Sequence, residues 1–290
     1  MDSRIVQLPS VQLIGAQKAG TSAIAEWLFE GGFCRPRVFP NEPSYYSKEA
    51  HFFDIDWDFN QGLEYYALRF NNGKNGPALD ATPDTLTFPE RVRDIYQSAG
   101  GDQVNTVKII VILRDPVARE LSLYNHMAFD CRTLDPLQLT GWHRQVKKVD
   151  GSIMSFEEFV RDISMPALAR DESEDGGSGR SSRHGLYANH LQNWFERFDR
   201  NQIIVLSYDE LCTNPEKLQG RIQSFLGVAV PGHIRRINSN NSLQKVEILS
   251  NEPRQQLESF MKPHNERLYE LLEANPGPSM EQRPFPKFTM

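Results

Sequence analysis

Three features of this sequence predict a three-layer α/β fold with a mainly parallel central sheet. Strand-length apolar runs, "VQLIGA", "VKIIVIL" and "QIIVLS", alternate with segments of helical periodicity, the order expected of parallel strands joined by helical crossovers. The run at 107–113 is apolar on nearly every residue instead of alternating, which fits a central strand covered on both faces. The first run breaks at Gly15 into a glycine-bearing turn and restarts as a helix, a strand–loop–helix junction suited to holding phosphate.

The elements follow in order. "VQLIGA" is a short buried strand, and "TSAIAEWLFE" an amphipathic helix with Thr21 or Ser22 near its start. "GLEYYALRF" reads as helix. "PALDATPDTL" holds a second short strand that ends in a proline turn. "FPERVRDIYQSAG" has helical periodicity with a proline near its start and a closing glycine. "VKIIVILRD" is the clearest strand, and Pro116 then opens the helix "PVARELSLYNHMAF". "SFEEFVRDI" is helical. Residues 170–185, "RDESEDGGSGRSSRHG", are acidic and then Gly/Ser-rich, and predict a mobile loop. "LYANHLQNWFERF" is helix, "QIIVLSY" strand and "NPEKLQGRIQSFLG" helix. "PRQQLESFMKPHNERLYELLEA" predicts helix, a turn at Pro263, then helix. Residues 275–290 form a Pro-rich tail expected to run over the surface.

Size and composition limit the function. We read the 290 residues as a single domain, 1–290. With 39% hydrophobic and 24% charged residues, a sizeable core can form and wholesale disorder is disfavoured. The formal net charge of -6 and the pI of about 5.7 argue against a nucleic-acid partner. Cys34, Cys131 and Cys212 lack CxxC spacing, so reduced thiols in a reducing compartment are expected. No run approaches the length of a membrane span and no signal-like segment opens the chain; a cytoplasmic protein with no membrane partner is the expectation. No His/Cys/carboxylate set has ligand spacing, so no metal is expected.

The loop between the first strand and helix carries the chemistry. Gly15 and Gly20 keep the spacing of the GxxxxGK[ST] nucleotide loop, but Thr21 stands where the lysine of that pattern belongs. The lysine is Lys18, inside the loop. A cation there can sit beside the bridging oxygen between a nucleotide phosphate and a transferable group. The bland alternative is a strand-to-helix turn with an incidental lysine.

Here the sequence resembles a known family. "QKAGTSA" is similar to the 5′-phosphosulfate loop of sulfotransferases that use PAPS (3′-phosphoadenosine 5′-phosphosulfate). "VILRDPVARELSLYNH", 111–126, resembles the family's 3′-phosphate motif, with Arg114 at the strand end and Ser122 on the next helix. "SKEAHFFDIDWDFNQGLEYYALRF", 47–70, resembles the branch that contains the heparan-sulfate glucosaminyl 3-O-sulfotransferases. The likeness runs from about Leu13 to Leu272. It implies a P-loop-like sulfotransferase fold and PAPS as co-substrate, with 3′,5′-ADP as product. Lys18, Ala19, Gly20, Thr21, Ser22, Arg114 and Ser122 are then the donor-binding residues. Glu49 is the implied base on the acceptor hydroxyl, and Lys18 the cation at the leaving phosphate. His51 is a second candidate for the base, as in the steroid-type enzymes, or a packed histidine bonded to Asp54 or Asp80. Asp80 either orients substrate or caps a strand.

The departures from that branch concern the acceptor. Its acidic-Lys-Thr-Pro segment appears as "LDATPDTL", with Ala81 at the lysine position, and its late Lys-Gly-Arg cluster is missing, Lys245 being at most a partial substitute. These losses and the acidic charge predict a small neutral or cationic acceptor bearing a hydroxyl or an amine. Three rival readings stand beside this: a carbohydrate sulfotransferase acting on glycans, a nucleotide or small-molecule kinase with a degenerate loop, and a nucleotide-binding scaffold without activity.

Overall fold

The computed structural model describes residues 7–70, 76–170, 180–235 and 251–288. Among them, strands β1 (Val11–Gly15), β2 (Leu79–Asp80), β3 (Lys108–Leu113) and β4 (Ile203–Ser207) form one sheet in the order β2-β1-β3-β4, parallel throughout. Register pairs Val11 with Leu79 and Lys108, and Ile109 with Ile203. The main helices are α1 (Thr21–Glu30), α2 (Gly62–Phe70), α3 (Pro89–Ser98), α4 (Pro116–Thr133), α5 (Tyr187–Arg197), α6 (Tyr208–Thr213), α7 (Pro215–Leu226) and α8 (Asn251–Ala274). No described helix is long and apolar enough to cross a membrane.

The burial of β3 explains its unbroken apolar run. Successive strand side chains point to opposite faces, and Ile109, Ile110, Val111, Ile112 and Leu113 are each 0% exposed. Both faces are therefore covered, as a central parallel strand requires.

Packing groups the chain into two compact units, each built from separated segments. One comprises Met1–Leu113, Asn189–Ile237 and Glu270–Lys287; the other comprises Arg114–Ala188, Asn238–Tyr269 and Phe288–Met290. The first unit contains the sheet. Helix α1 buries Ile24, Trp27 and Leu28 there, with Gly20 before its first turn. In the second unit, α4 presents Leu123, Tyr124, Met127 and Ala128 to Phe156, Phe159, Val160, Leu257 and Met261. Asp115 starts that helix by accepting the Ala118 N–H at 2.7 Å, with Pro116 in the first turn. The fully buried pair Arg119–Glu120, at 2.7 Å, is held by the Ser164 hydroxyl on Glu120 (2.7 Å) and by the Ser182 carbonyl on Arg119 (3.0 Å). A charge pair withdrawn from water needs such additional partners.

Two expectations change. The turn at Pro263 is absent, and α8 runs straight through it. A proline inside a helix costs about 3 kcal/mol or more, but Leu257, Met261 and Leu268 are each 0% exposed. Full burial of one such side chain contributes about 1.5–3 kcal/mol, so three outweigh the lost hydrogen bond. Of the loop expected at 170–185, residues 171–179 lie outside the described residues. Arg180–Arg183 form a helical turn, and Ser182 is buried against Glu120.

The Pro-rich tail is anchored. Glu281 accepts two bonds from Arg200, at 2.8 and 2.9 Å, and one from the Val205 N–H of β4, at 2.9 Å. The Met280 carbonyl accepts from Arg221 at 2.6 Å. Arg200 and Glu281 are nearly enclosed, with side chains 12% and 8% exposed. Removing one partner of a buried pair strands the other charge. Glu281→Ala should therefore destabilise the protein by about 3–5 kcal/mol in urea unfolding. A loss under about 1 kcal/mol, the range of exposed pairs, would show that the tail contact is incidental.

Candidate active site

The glycine loop has the backbone of an anion cradle. Gly15 sits at φ 148, Lys18 at φ 67 and Gly20 at φ 95, so the chain takes a positive φ at three positions before α1 begins. The Ala16 N–H donates to the Ile112 carbonyl at 2.7 Å, and the Ala19 N–H closes the turn onto Ala16 at 3.1 Å. Ala19 thus serves the loop's own geometry rather than offering its amide outward. The amides of Thr21 and Ser22 open α1, where first-turn N–H groups have no intrahelical acceptor and the helix dipole is positive. Thr21 is buried, Ser22 exposed and Lys18 partly exposed. Position 20 favours glycine because L side chains rarely adopt its φ of 95; a Cβ there would also lie 2.7 Å from Leu211 Cδ2 and 3.2 Å from Tyr208 Cδ2 of α6, so those side chains would have to shift.

A chain of charges lies in the same unit. A 3-10 turn, Ser44–Ser47, is followed by Lys48, whose ammonium is paired with Glu49 Oε1. Glu49 Oε2 is 3.3 Å from His51 Nε2, and His51 Nδ1 is 2.7 Å from Asp54 Oδ2. The order is Lys48, Glu49, His51, Asp54, with signs alternating when His51 is protonated. Burial works against ionising Glu49, but the Lys48 charge and the His51 contact outweigh it and hold the carboxyl at about 2. Burial likewise disfavours a charged His51, and Asp54 with Glu49 overcomes that and raises the imidazole well above its usual range. Tyr45 packs edge-on to His51 at 5.5 Å and Tyr46 lies 5.2 Å away, closing the histidine in.

Asp80 lies beneath this segment and is 0% exposed. Its Oδ2 accepts from Tyr66 at 2.9 Å. Its Oδ1 accepts from the Thr82 hydroxyl at 2.6 Å, the Thr82 N–H at 3.2 Å and the Ala50 N–H at 3.3 Å. Burial raises its carboxyl, against those donors. It touches protein on every side described, so the geometry fits a residue that holds the Glu49–His51 segment better than one that meets substrate.

Arg114 and Ser122 fall in the second unit. Arg114 follows the last residue of β3, and its carbonyl accepts from Tyr187 Oη at 2.8 Å. Ser122 is buried on α4, eight residues later. Lys245 lies outside the described residues. Sequence reasoning did not single out Lys48, Thr82 or Tyr66. Lys48 and Glu49 pair just after the 3-10 turn, and no periodicity announces that. The T-P pair after Asp80 was the available signal for Thr82, as a turn start.

Residues 8–262 match the family described as "Sulfotransferase domain". The chain is 29% identical over 232 residues to the Homo sapiens heparan sulfate glucosamine 3-O-sulfotransferase 3A1, covering 79% of this chain and 46% of that protein. It is 30% identical over 226 residues to the Mus musculus 3-O-sulfotransferase 3B1, covering 77% and 47%. The chain thus spans about half the length of these relatives. A solved sulfotransferase structure from Alicyclobacillus acidocaldarius shares the fold, with a TM-score of 0.63, 22% identity, and coverage of 92% of this chain and 97% of that one.

The charge chain has a pH signature. His51 is raised above its ordinary 6.5, so its contribution to stability is fully present below about pH 6.5 and is lost as pH rises through the folded value. Glu49 is depressed from 4.5 to about 2, so its contribution is present above pH 4.5 and is lost as pH falls toward 2. Asp54→Asn should lower the His51 titration midpoint, read by NMR of the imidazole. An unchanged midpoint would mean that Asp54 does not set the charge of His51.

Proposed function

Because the chain belongs to the Sulfotransferase domain family, we propose that it moves the sulfuryl group of PAPS to a hydroxyl of a small acceptor. Glu49 is the base and Lys18 the cation at the leaving phosphate. The observation that carries this reading is an ionised, largely buried carboxylate held between Lys48 and His51 in the unit that also contains the glycine loop.

The loop fits the donor's 5′-phosphosulfate. Gly20, Thr21 and Ser22 would hold it through backbone N–H groups and hydroxyls, and Lys18 would face the bridging oxygen. Arg114 and Ser122 would take the 3′-phosphate, for which a guanidinium offers a planar fork of donors. PAPS supplies an activated sulfuryl group with a phosphate leaving group.

In the transfer, the acceptor oxygen forms a bond to sulfur as the bond from sulfur to the 5′-phosphate oxygen breaks. The acceptor proton goes to Glu49, and the electron pair of the broken bond stays on the phosphate, where Lys18 offsets the growing charge. A carboxyl at about 2 is ionised at every working pH, yet is a weak base. That suffices if sulfuryl transfer, like phosphoryl transfer, has a loose transition state in which the nucleophile keeps its proton until late. His51 then orients Glu49.

For the acceptor we retain a small neutral or cationic molecule bearing a hydroxyl or amine, on the net charge of -6 and on Ala81. A densely anionic polymer would be repelled unless a basic groove offset that charge. The names of the relatives favour the other reading, a heparan-type glycan. Cysteine usage favours a reducing, cytoplasmic setting.

The test is an assay with PAPS and a panel of small alcohols, phenols and amines, with and without excess heparan sulfate at low salt. Transfer to a small acceptor that the polymer does not suppress is expected; efficient sulfation of the polymer overturns the acceptor reading. Glu49→Gln should lower turnover by about 10²-fold or more while 3′,5′-ADP still binds. Turnover within a few-fold of wild type would transfer the base role to His51. Arg114→Ala should weaken 3′,5′-ADP by about 1.5–3 kcal/mol and leave 5′-AMP nearly unaffected in titration calorimetry. Equal weakening of both would make Arg114 structural.

A further inference from the structure

His51 stands at φ 49, in the left-handed region that a non-glycine residue occupies only where its surroundings hold it. Hydrogen bonds from its own backbone and from that of Ala50 hold it there. The His51 N–H donates to Thr82 Oγ1 at 3.2 Å, and the Ala50 N–H before it donates to Asp80 Oδ1 at 3.3 Å. The Thr82 hydroxyl then donates to that same Asp80 oxygen at 2.6 Å. In return, the Ala81 N–H donates to the Lys48 carbonyl at 3.3 Å. The segment carrying Glu49 and His51 is therefore laced to residues 80–82 as one strand is to another, without being a strand.

The lacing continues inward. Tyr66 Oη donates to Asp80 Oδ2 at 2.9 Å and accepts from Gln12 Nε2 at 2.8 Å. The same amide nitrogen donates to Tyr96 Oη at 2.8 Å, and Tyr96 Oη donates to the Pro9 carbonyl at 2.6 Å. Gln12, Tyr66, Asp80, Thr82 and Tyr96 are each no more than 1% exposed. Donation converges on Asp80 from both sides: from Gln12 through Tyr66, and from the His51 N–H through the Thr82 hydroxyl. Such a closed buried network fixes positions more firmly than separate pairs do.

We propose that Thr82 and Asp80, backed by Tyr66, are positioning residues that hold the backbone of Ala50 and His51 so that Glu49 and His51 keep the spacing the transfer requires. This rests on the sulfuryl-transfer reading above. Thr82 stands between the two layers, since its one hydroxyl accepts from His51 and donates to Asp80.

The experiment compares Thr82→Val, which keeps the shape and removes the hydroxyl, with Thr82→Ser, which restores it. Two quantities are read: turnover, and amide hydrogen exchange at Ala50 and His51. Thr82→Val is expected to lower kcat at least 10-fold, to leave 3′,5′-ADP affinity within about twofold, and to speed exchange at both amides at least 10-fold. Thr82→Ser should recover most of each. Unchanged exchange at the two amides, or a kcat within threefold of wild type, overturns the proposal. If Thr82→Val does not fold, Tyr66→Phe, which deletes only the donor to Asp80, is expected to show both changes, and showing neither overturns it. A wild-type protein that transfers no sulfuryl group defeats the functional reading alone, and the exchange measurement then decides the positioning claim by itself.

Discussion

A carboxylate withdrawn from water must find donors or give up its charge, and that requirement at Asp80 organises the first unit. Three donors come from residues 50 and 82 and one from Tyr66. The end of β2, the segment after the 3-10 turn and α2 are thereby fixed to one point. Asp80 anchors both the Ala50 N–H and the Thr82 hydroxyl that receives the His51 N–H, and so supports the positive φ of His51. The charged residues above depend on it in turn, because a chain of alternating signs is favourable only while its members stay within hydrogen-bond reach.

The charges above Asp80 divide the work by environment. Glu49 is held ionised, and His51 is held protonated between two carboxylates. The arrangement keeps the Glu49 carboxylate partly exposed, with Lys48 and His51 supplying compensating charge. Its stability contributions overlap between about pH 4.5 and 6.5, where neither partner has lost its charge. A single replacement among the four unbalances the rest, so such a site tolerates little independent variation.

Much of this was legible from sequence. The non-alternating run of β3, the glycine spacing of the loop, and the proline that opens α4 are local signals, and local signals survive into the structure. The bonding of His51 to Asp54 was one of two options that the "HFFD" context left open, and the i, i+3 spacing turned out to decide it. What could not be read was whatever depends on distant partners. Pro263 looks like a break, but the burial of Leu257, Met261 and Leu268 overrides it. The tail looks like surface, but Glu281 meets Arg200, 81 positions earlier. Gln12 reads as an anomaly within a buried strand, and only the approach of Tyr66 and Tyr96 from two helices explains it.

Gly20 carries a consequence of a different kind. The glycine that opens α1 is pressed against Leu211 and Tyr208, residues of the helix that follows β4. The shape of the anion cradle is thus set jointly by two segments far apart in the chain. A bulkier side chain at 211 would push on the loop without meeting any ligand, and a smaller one would give the loop room to drift. Selection on the shape of the loop would therefore be felt at position 211. Lineages that diverge in this loop should carry compensating changes in that helix, and a graft of the loop alone onto a related scaffold would arrive without half of its mould.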